Sequence, residues 1–196
     1  MSETSPWPVL IEDGDLTLKP LRMRDKRAWN DVRGVNREWL NPWEATKPQV
    51  PGDDQGGSLP TFYDMVMQHN RDGRACRSIS LAIWLHADGK ENFVGQITLG
   101  GIIFGALRGA HIGYWIDQRF ANRGLTSRSV ALLSEYAFST LNLHRIEINI
   151  RPENEASKRV AEKCGYEFES TRPKFLHIDG AWRDHVSYVK VNPGIL

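Results

Sequence analysis

Between residues 110 and 150 the chain settles its own topology. AHIGYWID (110–117) alternates like a strand, with Ala110, Ile112, Tyr114 and Ile116 on one face and His111, Gly113 and Trp115 on the other. QRFANRG (118–124) interrupts the alternation. The segment after it then repeats at helical spacing, with Val130, Leu133, Ala137 and Leu141 inward. HRIEINI (144–150) alternates again. Strand, helix and strand in such short succession demand a parallel pair joined by a right-handed crossover.

The remaining segments surround that unit with a different pattern. LTLKPL (16–21) reads as a strand, and Asp25 is placed to cap a helix bearing Ala28, Trp29, Val32 and Trp39. Pro60 can open a second helix through Phe62, Met65, Val66 and His69. SISLAIWL alternates through Ile79, Leu81, Ile83 and Leu85; in NFVGQITLG, Phe93, Ile97 and Leu99 share a face broken by Gly95. These consecutive strands imply antiparallel pairing. ENEASKRVAEKCG forms a helix with Ala156, Val160 and Cys164 inward and Gly165 at its end. A last hairpin turns at Asp179-Gly180.

The order β-α-α-β-β-β-α-β-α-β-β predicts an α/β (α+β) fold. It has a mixed, mostly antiparallel central sheet, one parallel pair, and helices on both faces. One domain is expected over 1–196, with 1–14 as a loose N-terminal tail and 41–59 as a long, proline- and glycine-rich loop.

Composition excludes several functions. The 25 Lys and Arg against 24 Asp and Glu leave a net charge of +1, so no strong average field exists and, a local basic patch aside, neither direct nucleic-acid nor membrane binding is expected. Two cysteines, Cys76 and Cys164, fit a reducing cytoplasm better than a disulfide framework. No HExxH or CxxC spacing joins the six histidines and two cysteines, so no metal is expected. Neither a secretory leader nor a membrane-spanning run is visible.

A helix that starts directly after a strand leaves its first N–H groups without intrahelical partners, and these form an anion site with the positive end of the helix dipole. Gly124 allows close approach, and Arg119, Arg123 and Arg128 can add charge; the bland alternative is a solvated helix start.

The element order, with GYWI before the loop, AxxRGL within it and RPENEAS…KCGYEFE after it, resembles the GNAT acetyltransferase superfamily. More narrowly it is similar to the RimJ/RimL type of ribosomal-protein N-acetyltransferase, from LTLKPLRMRD to the closing IDGAWRDHVSY. The family's pyrophosphate signature, Gln/Arg-x-x-Gly-x-Gly/Ala, is here Ala121 to Thr126; it keeps Gly124 and departs at both ends. The resemblance implies acetyl-CoA as co-substrate. Ile116 and Asp117 would hold its pantetheine through their backbone, and Asn122, Arg123, Gly124, Leu125, Thr126 and Ser127 would wrap its pyrophosphate. Asn154 would reach the pantetheine, or simply cap its helix.

The RimI-like branch uses a glutamate and a tyrosine where this chain has Asn149 and Ala161, so that mechanism does not carry over. The RimL-like branch implies Ser157 as the acid, against a plain role as an N3 polar residue. Candidates for handling the amine proton are His111, whose bland reading is an outward strand histidine, and Glu147, whose bland reading is a salt bridge. Glu44, Trp43 and Trp115 are candidates for the acceptor cleft. With a reference pKa of about 7.7–8.0 against about 10.4 for lysine, roughly a tenth of an α-amine is already neutral at pH 7. Water could then serve as base. The expected activity is N-acetylation of a protein N-terminus, such as a ribosomal protein, by a monomer or homodimer. A small amine (polyamine, aminoglycoside or amino sugar) and a non-catalytic CoA-binding module are the alternatives.

Overall fold

A computed structural model describes residues 6–50 and 60–195. Its elements are β1 (Ile11–Asp13), β2 (Leu16–Lys19), α1 (Lys26–Val35), α2 (Arg37–Leu40), α3 (Phe62–Arg74), β3 (Ile79–Ala87), β4 (Lys90–Ile103), β5 (Gly109–Ile116), α4 (Leu125–Ser139), β6 (Arg145–Ile150), α5 (Glu155–Lys163), β7 (Glu167–Ile178) and β8 (Ala181–Val191). The strands form one eight-stranded sheet in the order β1-β2-β3-β4-β5-β6-β8-β7. Every pairing is antiparallel except β5 with β6.

Both sheet faces are covered. One carries Leu16, Leu81, Ile97, Ile112 and Ile146, all buried against Val130 and Leu133 of α4 and Ala161 of α5. The other carries Ala82, Trp84 and Phe93 under Val32 of α1 and Phe62 and Val66 of α3. Burial on both faces is why β3 reads as a nearly continuous apolar run.

Four local expectations change. The tail is not loose over its described part: β1 pairs with β2, Val9 is buried, and Trp7 donates from Nε1 to Asn70 Oδ1 at 3.0 Å. The first helix divides at Asn36, which puts Trp39 on α2; the Asp25 side chain does not cap α1 but accepts from Arg22 N. Helix α3 starts one residue beyond Thr61, which forms a capping box with Asp64, so Pro60 lies just outside. Phe93 does not share a face with Ile97 and Leu99. Ile83 pairs with Gly95 and Trp84 with Phe93, which leaves Val94 as a bulge that moves Phe93 to the opposite core.

The feature that positions the site is the short parallel ladder. It joins Gly109 to Arg145, Ala110 to Ile146 and His111 to Glu147, and then ends. From Ile112 to Ile116 β5 runs on without β6, which pairs with β8 instead. At this splay Gly113 sits in register opposite Thr98. Gly95 does the tight work nearby: a Cβ there would lie 2.4 Å from the Trp115 carbonyl.

Candidate active site

The splay opens a cavity of about 640 Å³, within the usual range for ligand sites. One wall is the end of β5 with the loop and first turn of α4: Tyr114, Trp115, Ile116, Phe120, Ala121, Asn122, Gly124, Leu125, Thr126 and Ser127. The facing wall is α5 and its approach: Glu153, Asn154, Glu155, Ala156, Ser157, Arg159, Val160 and Lys163. Trp39, Leu40 and Trp43 close one end.

The loop geometry follows from its sequence. Asn122 and Gly124 both adopt left-handed backbone, with φ of 61° and 78°. No side chain caps α4, and the first intrahelical bond runs from Arg128 N to Gly124 O. The N–H groups of Leu125, Thr126 and Ser127 are therefore the orphan donors of a helix start, at a cavity wall. A Cβ on Gly124 would meet no protein atom, so the space beside it is open. These features fit an anionic ligand such as the pyrophosphate of CoA.

The three arginines of the junction separate into different roles. Arg128 is clasped by Asp13 and Asp15, at 2.9 and 2.8 Å. Arg119 forks onto Asp117, a fully buried carboxylate that also accepts from Arg119 N. Burial would raise the pKa of Asp117, but hydrogen bonds from Arg119 and Asn36 outweigh it and hold the carboxyl below its ordinary value. Among the described residues Arg123 meets no carboxylate and lies over the Phe120 ring at 5.0 Å. Sequence reading missed the cations that line the cavity, Arg159 and Lys163. They share a face of α5 with Ala156 and Val160, and that helical spacing was the available signal.

Two backbone groups at the end of β5 already have protein partners. Ile116 O accepts from Trp39 Nε1 at 3.2 Å, and Asp117 N donates to Val94 O at 2.8 Å. Ile116 lines the cavity and the buried Asp117 does not. Asn154 lines the cavity while its Oδ1 accepts from Ser157 N at 3.0 Å, so capping and access to a ligand coexist. Ser157 Oγ lies 2.7 Å from Tyr114 Oη. Burial pushes the Tyr114 phenol well above the ordinary tyrosine range, against the opposing effect of the Ser157 hydrogen bond.

A second cavity, of about 350 Å³, shares Leu40, Trp43, Tyr114 and Trp115 with the first and adds Arg33, Glu44 and Ala45. Glu44 is bonded to Arg33, whose guanidinium lies over Trp115 at 5.1 Å. Arg151 secures the adjacent turn, donating to Pro42 O at 2.7 Å and stacking over Trp43. The segment after Glu44 bridges the β7–β8 turn, with Ala45 opposite Ile178. Asp53 and Asp54 of the long loop lie outside the described residues.

His111 and Glu147 are neighbours across the last parallel pair but line neither cavity. Glu147 is held by Arg145 at 3.0 Å and Arg172 at 2.7 Å. His111 is exposed as a residue, yet its ring rests on Gly100 and Gly101, and this burial lowers its pKa against the pull of Glu147. Among the described residues no cluster of His, Cys, Asp and Glu could hold a metal, and no helix is long and apolar enough to cross a membrane.

A family model for the acetyltransferase (GNAT) domain matches residues 15–167. The chain belongs to the GNAT acetyltransferase family. This GNAT domain is 40% identical over 188 residues to the probable N-acetyltransferase YjcK of Bacillus subtilis, across 94% of this chain and 98% of the relative. It is 27% identical over 177 residues to the [ribosomal protein uS5]-alanine N-acetyltransferase of Escherichia coli, across 87% and 86%. Mycobacterium smegmatis RimJ in complex with CoA-disulfide superposes with a TM-score of 0.84 at 31% identity, across 96% and 90%. The chain is thus an N-acetyltransferase of the RimJ-like kind.

Proposed function

We propose that this GNAT enzyme transfers the acetyl group of acetyl-CoA to the α-amine of a protein N-terminus. The observation that carries the reading is the junction of the two cavities at Leu40, Trp43, Tyr114 and Trp115, which lets an amine entering one meet a thioester held in the other. The similarity to the E. coli [ribosomal protein uS5]-alanine N-acetyltransferase supports it. So does the charge of the second cavity, where Arg33 neutralises Glu44 and aromatic rings make up much of the wall. A polycation would want unpaired carboxylates there. The reducing cytoplasm is the compartment this reading assumes.

Asn122 to Ser127 would hold the pyrophosphate of acetyl-CoA through the orphan amides of α4, and Asn154 its pantetheine. Bound there, acetyl-CoA supplies an electrophilic carbonyl and a sulfur leaving group. Ser157 Oγ hands its proton to the departing sulfur and regains one from water. The α-amine, with its low pKa, loses its proton to water, so no strong base has to touch it.

Free-thiol release should be measured with acetyl-CoA and either a library of N-terminal peptides or spermidine. Peptides should be preferred by at least about tenfold in kcat/KM, a difference of about 1.4 kcal/mol. A preference for spermidine would refute the acceptor assignment. CoA binding without thiol release from any amine would refute the transfer.

A further inference from the structure

We propose that Tyr114 is a positioning residue for Ser157, fixing the serine hydroxyl so that its own hydrogen is directed at the ligand in the larger cavity. The inference rests on the reading of Ser157 as proton donor, and its test separates the two.

The tyrosine reaches Ser157 from the other side of the splay, 43 residues away in sequence. Its single hydrogen has two acceptors in range, Ser157 Oγ at 2.7 Å and Ser157 O at 3.3 Å. The shorter contact is the stronger, and a phenol is a better donor than an aliphatic alcohol. In the proposed arrangement Tyr114 donates to Oγ, a contact in which either oxygen can supply the hydrogen. Ser157 N is separately held by Asn154 Oδ1 at 3.0 Å, so backbone and side chain are anchored from two directions.

A serine in the first turn of a helix normally turns its hydroxyl toward nearby backbone groups. The phenol occupies one lone pair of Oγ and leaves the serine hydrogen for a third group. Ser157 and Tyr114 both line the larger cavity, so that group is the ligand. Donation into Oγ also polarises its O–H bond, which makes it a better donor in turn. As the carbon–sulfur bond breaks, its electron pair goes to sulfur and the Ser157 proton follows. Oγ then regains a proton from water. Tyr114 keeps its own throughout, because burial makes its phenol a very weak acid.

The test is a double-mutant cycle of Tyr114→Phe and Ser157→Ala, with kcat and the KM for acetyl-CoA read separately. Tyr114→Phe should lower kcat about tenfold, at the low end for a proton-transfer contribution, and shift KM less than about twofold. On the Ser157→Ala background it should cost nothing further. Ser157→Thr, which keeps a hydroxyl within reach, should retain kcat within about threefold when Tyr114 is present and lose that rescue when it is Phe. Equal losses from Tyr114→Phe on both backgrounds would overturn the proposal. So would full activity in Tyr114→Phe alongside an impaired Ser157→Ala, which leaves the donor role intact. A loss confined to Tyr114→Phe would make the phenol itself the donor and sink both readings.

Discussion

Gly124 offers the sharpest perturbation of the proposed cofactor loop. Its φ of 78° places it in left-handed space, and the Cβ of a replacement would project into a region empty of protein atoms. The protein has no internal clash to relieve there. The cost is the backbone conformation, about 1–2 kcal/mol for an ordinary side chain and more for a β-branched one. If the loop keeps its shape, Gly124→Ala lowers the melting temperature by roughly 2–8 °C in a chain of this size. If it relaxes, CoA binding has to restore it at the same expense, which weakens affinity about 5–30-fold. Gly124→Val combines the larger strain with two methyl groups at the cavity wall and should abolish measurable binding. Calorimetric titration with CoA, beside circular dichroism to confirm folding, separates these effects. A folded Gly124→Val protein that binds CoA within twofold of the parent would refute the assignment of this loop to the pyrophosphate.

Removing both cavity cations, Arg159→Ala with Lys163→Ala, should weaken CoA binding about tenfold at low ionic strength, with a gap that narrows as salt screens it; equal affinity in titrations at two salt concentrations would place the phosphates elsewhere. Asn154→Asp keeps an oxygen for the Ser157 amide, so thermal stability should hold within about 1 kcal/mol while CoA affinity falls, whereas loss of stability alone would leave only the cap. His111→Asn and Glu147→Gln should each leave kcat within about twofold, and a loss near the 10²-fold expected of a general base would return either to the mechanism. Burial lowers the pKa values of His69, His111 and His185 in the folded state. The unfolded chain therefore binds protons first as pH drops through the free-histidine value near 6.5, so stability should be fully present above that value and decline below it. A melting temperature that rises from pH 7 to 5.5 would contradict this.

Much of the architecture was legible because the decisive patterns are local. The alternation through Ala110–Ile116, the glycine turn and the helical repeat after it specify the parallel crossover without distant information. Asn154 and Ser157 were visible for the same reason, as polar residues at a helix start. The errors lie where distant contacts decide. That Arg128 is unavailable to a ligand is decided by Asp13 and Asp15, more than a hundred residues away. Phe93 changes face through one extra residue, Val94, in a strand buried on both sides, where hydrophobicity cannot report register. The tail is fixed by Trp7 over Gly73 and by Val9 in the core, a contact set too short for periodicity to show. Tyr114 looked like one more residue of an apolar face, since nothing in its own neighbourhood announces a hydroxyl partner on α5.

Asn36 has a consequence for anyone redesigning the enzyme. Buried at the break between α1 and α2, it donates to Val32 O and accepts from Gln118 N, both at 2.8 Å. One side chain thereby couples the helix pair that ends at the second cavity to Gln118, at the start of the loop before α4. Trp39, on α2, donates to the carbonyl of Ile116 just before it. If the two cavities serve acceptor and cofactor as proposed, acceptor preference and cofactor affinity are not separately tunable traits. A library that reshapes residues 36–46 to admit a new amine should be screened for acetyl-CoA saturation at every round, because variants with improved selectivity will carry altered cofactor demand.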